Sequence, residues 1–320
     1  MDGSTSSPQV KYIDLHTHTV HSDGALRPEE LVKKASELGL AAIAISDHEN
    51  TDGLEEAIES GKKYGVEVVP AVEISSYPDP LTEHHILGYY IDYKDAGLRK
   101  IFKKLQDGRE KRAKKVISNL NKLGYQINFG DVKAAASGTI VQPHIAWAVI
   151  TNLENRAKLK KDFGTVPDTG EFIRKYLVPG APAYEARETL KPKEAVDLIH
   201  KVGGIAVFAH PCWTAVTKKD GKLVFDDKKF EQLVKAGVDG VEALAHRGSE
   251  EDTKISVEHF TRLAKKYKLL ITGGSDYHGF GSAGKSLGFT DFYLKVPYRV
   301  LEELKLRHRI SYKMSDLSRN

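Results

Sequence analysis

Only 13 histidines occur in 320 residues, yet three of them crowd with two aspartates into "YIDLHTHTVHSDG", Tyr12 to Gly24. His16 and His18 stand two apart at the end of an alternating stretch. In extended chain, residues i and i+2 point to the same side, so both imidazoles can face one ion. Asp23 follows in a Ser-Asp-Gly sequence that ordinary turns also use. A second set decides between these readings. Asp47-His48 ends "AAIAIS", Glu73 closes "VEVVPAVEIS", His84-His85 opens "HHILGYY", His210 ends "GGIAVFAHP", and Asp276 and His278 lie in "LLITGGSDYHG". Histidines and carboxylates without thiolates suit Zn, Mn or Fe and exclude a cysteine-based structural zinc site. So many candidate ligands exceed what one ion takes, which implies two or three divalent ions with a carboxylate such as Glu73 bridging. Ions about 3.5–4 Å apart clamp the attacking and leaving oxygens of an in-line phosphoryl displacement and lower the pKa of bound water. That is chemistry for hydrolysing a phosphate ester.

Such residues need elements that bring strand ends together. Strands are expected at 11–16, 41–46, 66–72, 85–91, 204–209, 238–243, 269–273 and 287–294, and helical patterns at 28–38, 53–64, 192–202, 227–236 and 256–267. Gly39, Gly65 and Gly237 follow last turns, and Pro28 opens a first turn. Repeated β-α units with short apolar strands imply a parallel sheet buried on both faces, as a barrel or a doubly wound sheet. In either, the carboxyl ends of the strands gather at one mouth. The alternation fails between about 96 and 180, where the pattern is helical and basic, and this stretch reads as an inserted, mostly helical subdomain. The expected layout is a leader over 1–10, a barrel over 11–95 and 181–310, the insertion over 96–180 capping the mouth, and a tail over 311–320.

Composition excludes several classes. Hydrophobic content of 40% and charged content of 29% describe an ordinary soluble globular chain, and the net charge of +4 is too small to mark the whole as a nucleic-acid binder. No apolar run is long enough for a bilayer, and the N-terminus lacks the order of a signal peptide. With Cys212 as the single cysteine no internal disulfide is available, which fits a cytoplasmic location. No membrane or protein partner is indicated. The basic stretch Leu98 to Gly124 carries apolar residues at helical spacing. It reads either as a solvated helix face or as a guide for RNA.

"DLHTHTVHSDG", "ISDHENTDG", "GGIAVFAHP" and "GGSDYHG" resemble, in order, the motifs of the PHP (polymerase and histidinol phosphatase) family. The resemblance implies an α/β fold, a distorted seven-stranded β/α (TIM-like) barrel, and a trinuclear site at which a metal-activated hydroxide attacks a phosphate ester. It places His16, His18, Glu73 and Asp276 on one ion, Asp23, His48 and His278 on a second, and Glu73, His85 and His210 on a third. His85 is preferred to His84 because the family's histidine directly precedes the "ILGY" type of strand. "VQPHIAWAVI" and "APAYEARETLKPKEAVDLIHKVGG" are similar to the branch acting on nucleoside 3',5'-bisphosphates and on the 5' ends of short RNA. That similarity puts His144 at the substrate phosphate or the metal edge. Where the branch shows an arginine, this chain has Gln142, and Arg187 is the alternative cation for phosphate. His210 and His144 are the candidates to assist the leaving oxygen. Rival readings are a histidinol-phosphatase type of enzyme and a metal-binding regulatory module without turnover. His21 reads as a turn residue, Asp14 and Asp47 as groups that orient imidazoles, and Glu242 as a residue of the mouth or of the core.

Overall fold

Eight strands alternate with helices around a sheet that nearly closes on itself. The computed structural model describes residues 10–79, 82–136, 138–279, 286–289 and 293–319. The strands are β1 (Tyr12–Thr17), β2 (Ala42–Ile45), β3 (Glu67–Asp79), β4 (Thr82–Tyr89), β5 (Ile205–Phe208), β6 (Val216–Lys219), β7 (Lys222–Phe225), β8 (Gly240–Leu244), β9 (Leu270–Gly273) and β10 (Val296–Pro297). The main sheet runs β10-β1-β2-β3-β4-β5-β8-β9, while β6 and β7 form a separate hairpin. Beyond β9, His18 N–H donates to the Tyr277 carbonyl (2.9 Å) and Tyr277 N–H donates to the His16 carbonyl (3.3 Å), which ties the last barrel strand to the first.

The sheet is not parallel throughout. β4 runs antiparallel to both β3 and β5, because only two residues separate Asp79 from Thr82 and so short a link cannot carry a crossover. The expected strand at 287–294 is also corrected. Leu287–Phe289 is a 3-10 turn with Gly288 at φ +66°, pinned where Gly288 N–H donates to Asp14 (2.7 Å). Residues 290–292 lie outside the described residues, as do 1–9 of the expected leader. The expected tail continues as helix through Arg319.

The helices that cover the barrel include α1 (Pro28–Glu37), α2 (Leu54–Tyr64) and, from the insertion, α3 (Ala96–Lys122), α4 (Phe129–Ala135), α5 (Gln142–Thr151), α6 (Arg156–Phe163) and α7 (Thr169–Tyr176). Four more follow: α8 (Pro192–Lys201), the short α9 (Pro211–Thr214), α10 (Asp227–Ala236) and α11 (Glu250–Tyr267), and α12 (Arg299–Arg319) ends the chain. Inside the barrel, Ile13, Leu15, Ala42, Ala44, Val69, Ala71, Leu87 and Val207 form one buried cluster that Leu301 and Leu304 of α12 close at the base. Alternate residues face outward, as Ile43 and Ile45 do against α1 and α2. The insertion owns a different cluster, in which Val116, Leu120, Tyr125, Val149, Phe172 and Leu177 are buried together. Helix α3 joins the two bodies. Its first half (Leu98, Phe102, Leu105) packs on the barrel core and its second half on the insertion core. Arg109 and Arg112 are buried at the crossover.

Candidate metal centre

Glu73 stands at the centre of the barrel mouth, 1% exposed, with its two oxygens turned to different histidines. Its Oε2 lies 3.4 Å from His16 Nε2, 3.3 Å from His18 Nε2 and 3.2 Å from His48 Nδ1. Its Oε1 accepts from His85 Nδ1 (2.8 Å) and His210 Nε2 (2.9 Å). Asp276 Oδ1 completes the first side at 3.5 Å from His16 and 3.3 Å from His18. Asp23 Oδ1 lies 3.2 Å from His278 Nε2, 3.7 Å from His18 Nδ1 and 3.8 Å from His48 Nε2. Three groups of potential ligands result: His16, His18, Glu73 and Asp276; His18, Asp23, His48 and His278; and His48, Glu73 and His85. His210 adjoins the third through Glu73. These are the nine residues singled out in the sequence, with two differences. The third group takes His48 where the sequence put His210. His18 and His48 each present a different nitrogen to each of two groups, where the sequence put each in one.

The strands explain how a chain converges here. β1, β2, β5 and the segment after β9 deliver His16 and His18, His48, His210 and Asp276 from their carboxyl ends, whereas Glu73 lies midway along β3, which runs on to Asp79 beyond the strand end expected at 72. Because β4 runs the other way, its beginning reaches the same mouth with His85. A register shift between Asp14 and Thr17 lets Leu15 pack in the barrel core while His16 turns to Glu73, the usual work of a bulge beside a site. His210 (φ 29°) and Asp276 (φ 54°) hold left-handed backbone that non-glycine residues seldom adopt. Gly274 is required: a Cβ there would lie 2.3 Å from the His16 Cβ.

A supporting layer fixes the ligands. Both oxygens of buried Glu242 accept from His16 Nδ1 at 3.1 Å, which turns Nε2 toward Glu73, and Glu242 also accepts the His210 N–H (2.8 Å). Asp47 accepts from Thr19 N–H (2.7 Å), Thr19 Oγ1 (2.6 Å) and Ser22 Oγ (2.6 Å), clamping the loop that carries His18 and Asp23. Asp14 accepts from the backbone of His16 and from Ser275. Both aspartates therefore hold backbone and loop, not imidazoles as the sequence suggested.

The donor set fits divalent ions. His16 Nε2, His18 Nε2, Asp23 Oδ1 and His48 Nδ1 are buried without a hydrogen-bond partner, a state that native proteins rarely tolerate. Around Glu73 Oε2 and Asp276 Oδ1, separations of 3.2–3.5 Å match the roughly 3.4 Å edge of a tetrahedron with bonds of about 2.1 Å, and those around Asp23 run from 3.2 to 3.8 Å. The charges agree. Burial opposes the His18 imidazolium, yet the carboxylates of Asp276, Glu73 and Asp23 beside it lift its pKa to about 10. His85 likewise rises to about 10, Glu73 overcoming burial. Burial would raise Glu73 and Asp23, but the imidazoles around them hold both well below the carboxylate range. Burial drives His48 down to about 3, so it stays neutral. Protons thus collect where the carboxylates call for cations, and metal binding would displace them.

The remaining candidates lie around this centre. Thr139, between α4 and α5, donates its N–H to the His21 carbonyl (2.9 Å), and His21 itself belongs to none of the groups. His144 Nδ1 accepts the Val141 N–H (3.2 Å) at the start of α5. Burial lowers its pKa, and the charges acting on it are those of Asp23, Arg109 and His278. Gln142 spends its amide on the Leu177 carbonyl (3.2 Å) inside the insertion. Arg187 is buried beside Glu49. His84 packs edge-on against Phe208, away from Glu73, while His200 and His259 pair with Asp239 and Asp227. Cys212 is buried. What the sequence gave no sign of is the Arg109–Glu49 pair (2.5 Å) behind His48, since nothing local links positions 49 and 109.

Comparison with known proteins agrees with this geometry. The PHP domain family matches residues 14–175. The chain is 31% identical to a 5'-3' exoribonuclease of Haemophilus influenzae, over 90% of this chain and 98% of that one. The chain belongs to the PHP family. It is thereby a metal-dependent phosphoesterase, a hydrolase acting on phosphate esters. It is also 30% identical to a 3',5'-nucleoside bisphosphate phosphatase of Chromobacterium violaceum, over 92% of this chain and 97% of that one. Among solved structures, a Bifidobacterium adolescentis protein assigned as a metal-dependent phosphoesterase superposes with a TM-score of 0.74 at 26% identity, covering 94% of this chain and 98% of that one. No helix among the described residues is long and apolar enough to cross a membrane.

Proposed function

We propose that this PHP phosphoesterase hydrolyses phosphate esters of nucleotides, with nucleoside 3',5'-bisphosphates as the first substrates and the 5' ends of short RNA as the second. The observation that carries the reading is Glu73, shared between histidines on its two sides, because a bridging carboxylate makes a multi-ion phosphoryl-transfer site. His16, His18, Asp23, His48, Glu73, His85, His210, Asp276 and His278 would hold two or three ions such as Mn, Zn or Fe. Bound ions would supply positive charge to the phosphoryl oxygens and lower the pKa of a bound water. Glu242 orients His16 and positions the His210 backbone. His144, with Nδ1 taken by Val141, is a neutral Nε2–H donor. It is suited to hydrogen-bond a phosphoryl or leaving oxygen, with residues 96–180 as the cap that carries it. His210 is the alternative for that role, although its Nε2 is engaged by Glu73.

The substrate class rests on the two relatives, one named for a bisphosphate and one for RNA, each matched over nearly its whole length. A phosphate-release panel of adenosine 3',5'-bisphosphate, short 5'-phosphorylated RNA and histidinol phosphate tests it. Turnover of the first two supports the reading. Preference for histidinol phosphate would replace the substrate class, and no turnover of any would leave a metal-binding module.

A further inference from the structure

His48 and Glu73 face each other across a single rung of sheet. β2 pairs with β3 as far as Ile45 and Pro70, and after a break His48 again lies opposite Glu73. Glu73 N–H donates to the Asp47 carbonyl (3.3 Å) and Glu49 N–H to the Glu73 carbonyl (3.0 Å). Opposed residues project to one face of the pleat, so this rung sets His48 Nδ1 3.2 Å from Glu73 Oε2. The next bond of the ladder would run from Ser75 N–H to the Glu49 carbonyl. Glu49 instead turns away at φ 42°, and its side chain takes that donor, Oε1 accepting the Ser75 N–H at 2.8 Å.

Helix α3 of the insertion holds both sides of the rung. Gln106 Nε2 donates to the Glu49 carbonyl that left the ladder (2.8 Å). Arg109 Nε donates to Glu49 Oε2 (2.7 Å) and its Nη2 to Ser75 Oγ (3.1 Å). Glu49 is fully buried and Arg109 nearly so. A buried ion pair adds little net stability over apolar side chains of the same size, because desolvation offsets the attraction. What a guanidinium adds is direction, since its planar fork fixes two acceptors at once. Here the two acceptors belong to the two segments that carry His48 and Glu73.

We infer that Arg109 and Gln106 are positioning residues for the metal centre: through Glu49 and Ser75 they fix the rung that sets His48 beside Glu73. The inference rests on the reading of His48, Glu73 and His85 as ligands of one ion. It makes the binding of that ion depend on a helix that contributes none of the candidate ligands.

The test compares the full-length protein with Gln106→Leu, Arg109→Lys and Arg109→Met. Arg187, 3.8 Å from Glu49 Oε1, leaves that carboxylate a counter-charge in the Met variant, and Gln106→Leu strands no charge at all. Calorimetric titration of Mn into chelator-stripped protein is the first readout. The weakest-bound Mn is expected to lose about 10- to 100-fold in affinity in Arg109→Met, the range for outer partners of metal ligands, and less in Gln106→Leu. Arg109→Lys keeps the charge but not the fork, so its unfolding midpoint should match wild type while its Mn affinity stays reduced. Hydrogen exchange at the Glu49 and Ser75 amides is the second readout. It should speed up in Arg109→Met and Gln106→Leu while the amides of α1 keep wild-type rates. Unchanged Mn affinity, unchanged exchange at the two amides, or a metal loss that follows the unfolding midpoint through all three variants would overturn the positioning role. If wild type binds no Mn, the ligand reading fails, and exchange alone then decides whether α3 holds the rung.

Discussion

Glu242→Gln keeps the shape of the side chain while removing its charge and one acceptor. Glu242 makes three contacts at the centre: both oxygens with His16 Nδ1 at 3.1 Å and one with the His210 N–H at 2.8 Å. The glutamine oxygen can serve only one of these well, and its NH2 group would face a donor. A hydrogen bond to a charged group contributes about 1.5–3 kcal/mol, which is roughly 10- to 100-fold in an equilibrium constant. Outer-layer partners of metal-binding histidines show the same range when altered. The variant is therefore expected to bind divalent metal about 10- to 100-fold more weakly, with activity at limiting metal reduced to match and restored in part by excess metal. Calorimetric titration of metal into stripped protein reads the first quantity and phosphate release the second. Unchanged affinity in a variant with an intact circular dichroism spectrum would refute the argument that Glu242 sets the His16 ligand.

Three further outcomes follow from named contacts. Glu49→Gln leaves Arg109 buried without its carboxylate and should cost about 3–5 kcal/mol of unfolding free energy, read by denaturant titration; a loss below about 1 kcal/mol would contradict it. His144→Asn keeps an acceptor near the place of Nδ1 and removes Nε2–H, so kcat/KM should fall about 10- to 100-fold with metal content unchanged, and loss of metal instead would make His144 a ligand. In metal-free protein, neighbouring carboxylates raise His18 and His85 to about 10 against burial. A raised folded-state pKa gives stability that is whole below about pH 6.5 and lost as pH climbs toward 10. Tm with chelator present should therefore fall across that window and flatten when divalent metal replaces the protons; a flat profile without metal would contradict the charge assignment.

Much of the centre was legible because His16, His18, His48, His210 and Asp276 sit where short apolar strands end, and strand ends are readable from alternation and from the residues that follow, whereas Glu73 and His85 lie inside longer strands. Helices with marked ends were equally plain, such as α1 behind Pro28 and α10 before Gly237. The direction of β4 was not read, since an apolar run looks the same both ways. The two-residue link after Asp79 was the available signal. The β6–β7 hairpin was not read, although Asp220-Gly221, both at positive φ, is a pair that favours tight hairpin turns. Leu287–Phe289 was misread because its apolar residues imitate a strand, while a long-range contact with Asp14 bends it into a turn. Glu242 and the Arg109–Glu49–Arg187 group depend on contacts between distant segments that no local pattern encodes.

The central claim is that the cluster around Glu73 is a metal centre that hydrolyses phosphate esters. Phosphate released from adenosine 3',5'-bisphosphate, measured while Mn is titrated into chelator-stripped protein, tests it most directly. The account predicts no turnover without metal and a rise that saturates as two or three ions bind. Full turnover by the stripped protein would contradict it.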